Sequence, residues 1–188
     1  EMIIPLPSET EKSYFEGVEF LMDNEVQTRT YTLMMLCGAE LGRDKAIKDF
    51  EMKSKWRVLP KQFGDYRGKK ILEIEQICVG TSSMNYQEYL NCRNYSFIVK
   101  LLGHSVLKPV KKLTDKLGIK WFDFSRAVTK LIQDEQYEGK FKDLFKEFCK
   151  ESHEELFETQ ADAITFYSKK ENYKALVNGD IGENLIFF

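Results

Sequence analysis

The sequence predicts an α/β fold in which a strand–helix–strand unit opens the chain and helices alone complete it. Two apolar runs and one change of periodicity carry this expectation. Residues 2–6 form an apolar stretch too short for a helix. Residues 26–36 form a second, rich in Thr, Tyr and β-branched side chains. From Asn85 onward the apolar residues recur at helical spacing throughout.

Between the two predicted strands, Ser8 offers an N-cap, and Glu9 and Glu11 place carboxylates in a first turn where they suit the helix dipole. The helix then runs to about Asn24, with Phe15, Val18, Leu21 and Met22 as its apolar stripe. Strand, helix and strand in this order make a βαβ unit, whose right-handed crossover brings the strands together in parallel. After Cys37 and Gly38 a short helix is expected over residues 44–50. Residues 56–59 and 71–79 read as extended, with Gly64 and Gly68 punctuating a polar loop between them.

In the second half, Tyr86, Tyr89, Leu90, Arg93, Phe97 and Leu101 mark a helix ending at Gly103. Residues 106–117 come next, with Pro109 in the first turns and Gly118 as the stop. Asp123 or Ser125 starts the next helix, carrying Val128, Leu131 and Ile132. Phe141, Leu144, Phe145 and Phe148 mark an amphipathic helix continuing past Cys149. Two more helices are expected, at 155–168 and 171–177, before Asn178-Gly179 and an apolar tail at 185–188.

Composition narrows the function classes. A hydrophobic fraction of 43% supports a folded core, and 28 basic against 30 acidic residues removes the electrostatic reason to expect nucleic acid. No apolar run approaches the roughly 20 residues of a membrane-crossing helix, and the apolar start breaks at Pro5 and Pro7 too early for a signal peptide. Cys37, Cys78, Cys92 and Cys149 match neither zinc nor iron–sulfur spacing and read as reduced thiols of a cytoplasmic protein. Because the chain opens Glu-Met-Ile-Ile-Pro directly in a strand, it reads as a piece of a longer polypeptide.

Few residues stand out chemically. His104 and His153 are isolated, without a ligand or base partner nearby in sequence, and no metal site is expected. The carboxylates between Glu147 and Glu158 alternate with Lys146 and Lys150, as on a solvated helix face. No phosphate-binding glycine loop and no nucleophile elbow occur. Tyr86, Tyr89 and Arg93 share one helical face. There an arginine flanked by phenols either grips an anionic substrate group or packs as an interior arginine, so Tyr89 and Arg93 are candidate substrate-binding residues.

Residues 2–10, Met-Ile-Ile-Pro-Leu-Pro-Ser-Glu-Thr, resemble a stretch of radical S-adenosylmethionine enzymes in which a buried strand ends in Gly-Leu-Pro-Gly-Glu-Thr. Residues 31–41 are similar to the family's next strand and its Leu-Leu-Pro-Gly-Thr-Glu-Leu exit. Residues 57–60, 71–79 and 83–90 resemble the region C-terminal to the barrel in members that often carry a cobalamin-binding domain upstream. The resemblance covers roughly residues 1–100. Pro5 and Ser8 stand where the family has glycines, and Cys37 where it has proline.

The resemblance implies the last strands of a partial (β/α) TIM-like barrel over residues 1–84 and an all-helical C-terminal region over 85–188. It implies a parent enzyme using S-adenosylmethionine and a [4Fe-4S] cluster on a small-molecule substrate. The cluster's cysteine triplet would lie outside this chain, in the upstream part of the same polypeptide, and the backbone around Met34, Leu36 and Cys37 would lie near the adenine. A simple core role for residues 34–36 stands beside that placement. A self-contained α+β interaction module, or a degenerate non-catalytic homologue, are the rival expectations.

Overall fold

A computed structural model describes residues 1–182 and shows a mixed α/β protein. The predicted apolar tail at 185–188 lies outside the described residues. The opening unit is β1 (Met2–Ile4), α1 (Glu11–Asp23) and β2 (Thr30–Thr32). The two strands pair in parallel, Met2 with Thr30 through Ile4 with Thr32, as the βαβ pattern requires.

Both strands are shorter than expected. Pro5 has no amide to donate, so β1 ends at Ile4. On the neighbouring strand's exit the amide of Leu33 still donates to the Ile4 carbonyl, but that of Met35 donates to Gln76. The segment therefore changes partner partway along. Ser8 is not the helix cap either; it takes a left-handed φ of 67°, and Thr10 caps α1 instead. Thr10 Oγ1 accepts from the Ser13 amide at 3.1 Å, and Ser13 Oγ accepts from the Thr10 amide at 2.9 Å.

After the short α2 (Asp44–Asp49) come two long antiparallel strands, β3 (Lys53–Tyr66) and β4 (Lys69–Gly80). The loop expected over residues 60–70 is mostly strand. The hairpin turns only at Arg67 and Gly68, both at positive φ (54° and 82°), as a tight two-residue connection needs. Pro60 is absorbed where the register shifts between Val58 and Phe63, with Lys61 at φ 61°. An antiparallel bridge from Met34 to Ile77 joins this hairpin to the parallel pair. The described strands thus form two linked two-stranded sheets rather than a closed barrel.

The helices continue as α3 (Tyr86–Leu102), α4 (Lys108–Lys116), α5 (Trp121–Gln133), α6 (Lys140–Glu154), α7 (Gln160–Ser168) and α8 (Lys170–Asn178). Asn85 caps α3 in a reciprocal pair with Glu88. α5 starts at Trp121, earlier than Asp123 or Ser125. Ser125 is buried and its hydroxyl meets that of Tyr95 at 2.5 Å, so it serves packing rather than capping. Likewise α7 begins after Thr159. Residues 155–159 are drawn instead to the hairpin, where Phe157 exchanges two 2.8 Å backbone hydrogen bonds with Trp56.

α3 is the element shared by two cores. Its Tyr89, Cys92, Tyr95 and Val99 pack with Ile4, Tyr14, Val18, Ile77 and Val79 beneath the sheet. Its Phe97, Ile98 and Leu102 pack with Ile132, Phe145 and Phe148 of α5 and α6. None of the helices among the described residues is long and apolar enough to cross a membrane.

Candidate functional site

Parallel pairing sends the segments after β1 and β2 out at the same, carboxyl end of the sheet, where α/β folds build their sites. The two segments meet through Leu6, which packs on the cluster of Leu33, Met35, Met52 and Cys78. Residues 33–36 alternate with a period of two. Leu33 and Met35 are buried, whereas Met34 and Leu36 are 46% and 54% exposed and Cys37 is exposed. Met34, Leu36 and Cys37 therefore stand together at the surface of this strand end, rather than inside the core.

The turn behind them is tightly specified. Gly38 has φ 85°, and the Leu36 carbonyl accepts from the Ala39 amide at 3.1 Å. A Cβ on Gly42 would lie 2.3 Å from the Leu36 oxygen. Gly42→Ala should therefore cost about 1–3 kcal/mol through forced backbone movement. A lowered urea midpoint with shifted amide resonances at Leu36 and Gly38 checks this.

Glu9, on the companion segment, was expected in the first turn of the helix but lies two residues ahead of it. It precedes α1 and is partly buried; desolvation raises its carboxyl above the usual range, against a hydrogen bond from the Leu6 backbone. A carboxylate whose charge is penalised by burial accepts a proton more readily than an exposed one.

Tyr89 and Arg93 lie elsewhere, in the interior. Tyr89 is buried and its hydroxyl meets Thr32 Oγ1 at 3.1 Å, tying α3 to β2. Arg93 is buried too; its Nε donates to Ser152 Oγ at 3.1 Å, and its guanidinium lies 5.4 Å from the Phe148 ring centre. Desolvation pulls its pKa below the ordinary arginine value. The space beside the pair, between Arg57, Glu151 and Glu155, is about 10 Å³ and so takes a water molecule. Neighbouring Arg57 donates from Nε to Glu75 Oε1 at 2.6 Å. Sequence reasoning missed this ion pair because it depends on strand register, not on spacing.

The remaining candidates are dispersed. His153 Nδ1 meets the Tyr86 hydroxyl at 3.0 Å, and His104 Nδ1 accepts from the Val106 amide at 3.3 Å. Cys78, Cys92 and Cys149 belong to three different hydrophobic clusters, apart from exposed Cys37. Burial pushes the Cys149 thiol up to about 11, unlike the depressed values of ligating thiols. Among the described residues no three His, Cys, Asp or Glu side chains converge as metal ligands, so an iron–sulfur cluster finds no donor set there. No protein-family model matches the chain, and no curated protein matches it.

Proposed function

We propose that this chain is the closing part of the barrel of a radical S-adenosylmethionine enzyme, continued by a helical C-terminal region. The cluster cysteines then belong to the upstream part of the same polypeptide, where members of that family often also carry a cobalamin-binding domain. The backbone at Met34, Leu36 and Cys37 flanks the adenine of S-adenosylmethionine. When bound to its cluster, S-adenosylmethionine supplies that family with a 5′-deoxyadenosyl radical acting on a small-molecule substrate. This chain's own residues contribute a strand-end wall for the adenine.

One observation supports this above others: among the described residues, the parallel pair is covered by helices on a single face. Ile4 is buried under α1 and α3. Ile3 and Tyr31, register partners pointing the other way, remain 41% and 38% exposed. In a (β/α) barrel the helices pack on the outer face and the inner face is filled from the other strands. An uncovered apolar inner face beside an exposed strand end is what a wall of such a barrel presents.

The coding sequence preceding Glu1 tests the proposal. The expected result is an in-frame Cys-x-x-x-Cys-x-x-Cys within about 200 residues, a typical domain length. An initiator Met at or directly before Glu1, or an upstream frame without the triplet, overturns it. Either of those results would favour the interaction module instead. That alternative has its own observation: Val106, Leu113 and Leu117, on and around α4, are largely exposed.

A further inference from the structure

A second hollow lies at the opposite end of the parallel strands. It is bounded by the last turns of α1 and α3, the start of α4 and the start of α5, and encloses about 340 Å³. That volume falls within the ~300–1,000 Å³ typical of small-molecule sites. We propose that it binds a phosphate monoester attached to an aromatic or other apolar body.

Charge sets the anionic end. Arg29, Lys100 and Lys108 line the hollow, and none of the three forms an ion pair among the described residues. The carboxylate in the wall, Glu25, is already neutralised by Lys111 at 2.9 Å. A smaller adjoining hollow shares Arg29 and Lys100, so these two cations stand between the spaces. A dianion matches three cations better than a carboxylate does, and the arginine fork suits two phosphate oxygens.

Two neutral donors complete the polar side. Thr28 lines both hollows, and its hydroxyl can donate one hydrogen bond into them. His104 Nδ1 accepts from the Val106 amide, which places the ring proton on Nε2 as a donor. Val26, Leu102, Leu107 and Trp121 line the same hollow and provide its apolar wall. Cations and an indole in one lining define a ligand with both characters.

Calorimetric titration of the 188-residue chain with 1-naphthyl phosphate tests the proposal. Saturable one-to-one binding is expected, with inorganic phosphate and 1-naphthol each weaker by about tenfold or more. Arg29→Gln combined with Lys100→Gln should weaken binding by about tenfold or more through lost charge-assisted contacts. Lys108→Gln, a single change on another element, should weaken it as well, with an unchanged circular dichroism spectrum. No saturable heat, undiminished binding in both variants, or equal binding of either probe lacking one half of the ligand would overturn it. The site is remote from residues 34–37, so either proposal can fail alone.

Discussion

Glu75→Ala is expected to remove about 3–5 kcal/mol of stability, the range for deleting one partner of a buried ion pair. Arg57 and Glu75 sit in register across β3 and β4, each side chain 9% exposed, with 2.6 Å between Nε and Oε1. Without the carboxylate, Arg57 keeps its charge in a poorly hydrated site. It also faces Arg93, whose protonation it already disfavours. Two guanidiniums would then repel across the junction of hairpin and helices. Replacing both partners by apolar residues, Arg57→Met with Glu75→Leu, should recover most of the loss because neither member of the pair is left without the other. Urea midpoints of the two single variants and the double variant measure this. A single-variant loss below about 1 kcal/mol would mean that solvent screens the pair as at a surface.

Raising the pH should unfold the protein through its interior phenols. Desolvation raises Tyr95 to about 12 and raises Tyr14 and Tyr167 further still. The same phenols in the unfolded chain ionise near their ordinary value of about 10. Above that value the folded state holds more protons than the unfolded one, so stability falls as pH rises. These groups contribute fully below about pH 10, and the Tyr95 contribution is lost as pH climbs to about 12. Tyr95 alone accounts for something on the order of 2 kcal/mol, and Tyr14 and Tyr167 add to it in the same direction. The last phase of the rise in tyrosinate absorbance should therefore coincide with loss of circular dichroism, since exposed tyrosines such as Tyr66 report nothing on the interior. Ionisation of these phenols while the fold persists would show that water reaches them.

The parallel βαβ unit was legible because Met2, Ile3 and Ile4, the stripe on α1 and the threonine-rich second strand all point to one arrangement. The α3 helix was equally readable, since its apolar residues keep helical spacing from Tyr86 to Leu101 and its cap is local chemistry. The hairpin was not. Pro60 and Gly64 interrupt the sequence pattern, yet cross-strand pairing and a bulge carry the strand through them. At the site, the exposure of Met34 and Leu36 rests on a period-two alternation that begins only where the segment leaves β2. Arg93 was found as a residue of interest, but its surroundings come from α6, which no local pattern specifies. Lys142 shows the same limit. It lies on an amphipathic helix, but its ammonium is drawn inward to the carbonyls of Asp134, Glu135 and Tyr137. Such a cap for the end of another helix exists only after folding.

Among the described residues β1 pairs with β2 alone, and this bears on how the chain behaves in concentrated solution. A strand paired on one side is a template for adding foreign strands and so for aggregation. Here the template is three residues long, and Pro5 and Pro7 come directly after it. A stray strand would gain few main-chain hydrogen bonds before reaching a residue unable to donate one. The brevity of β1 thus works as a filter: only a neighbour that also buries Ile3 and Tyr31 gains enough to stay.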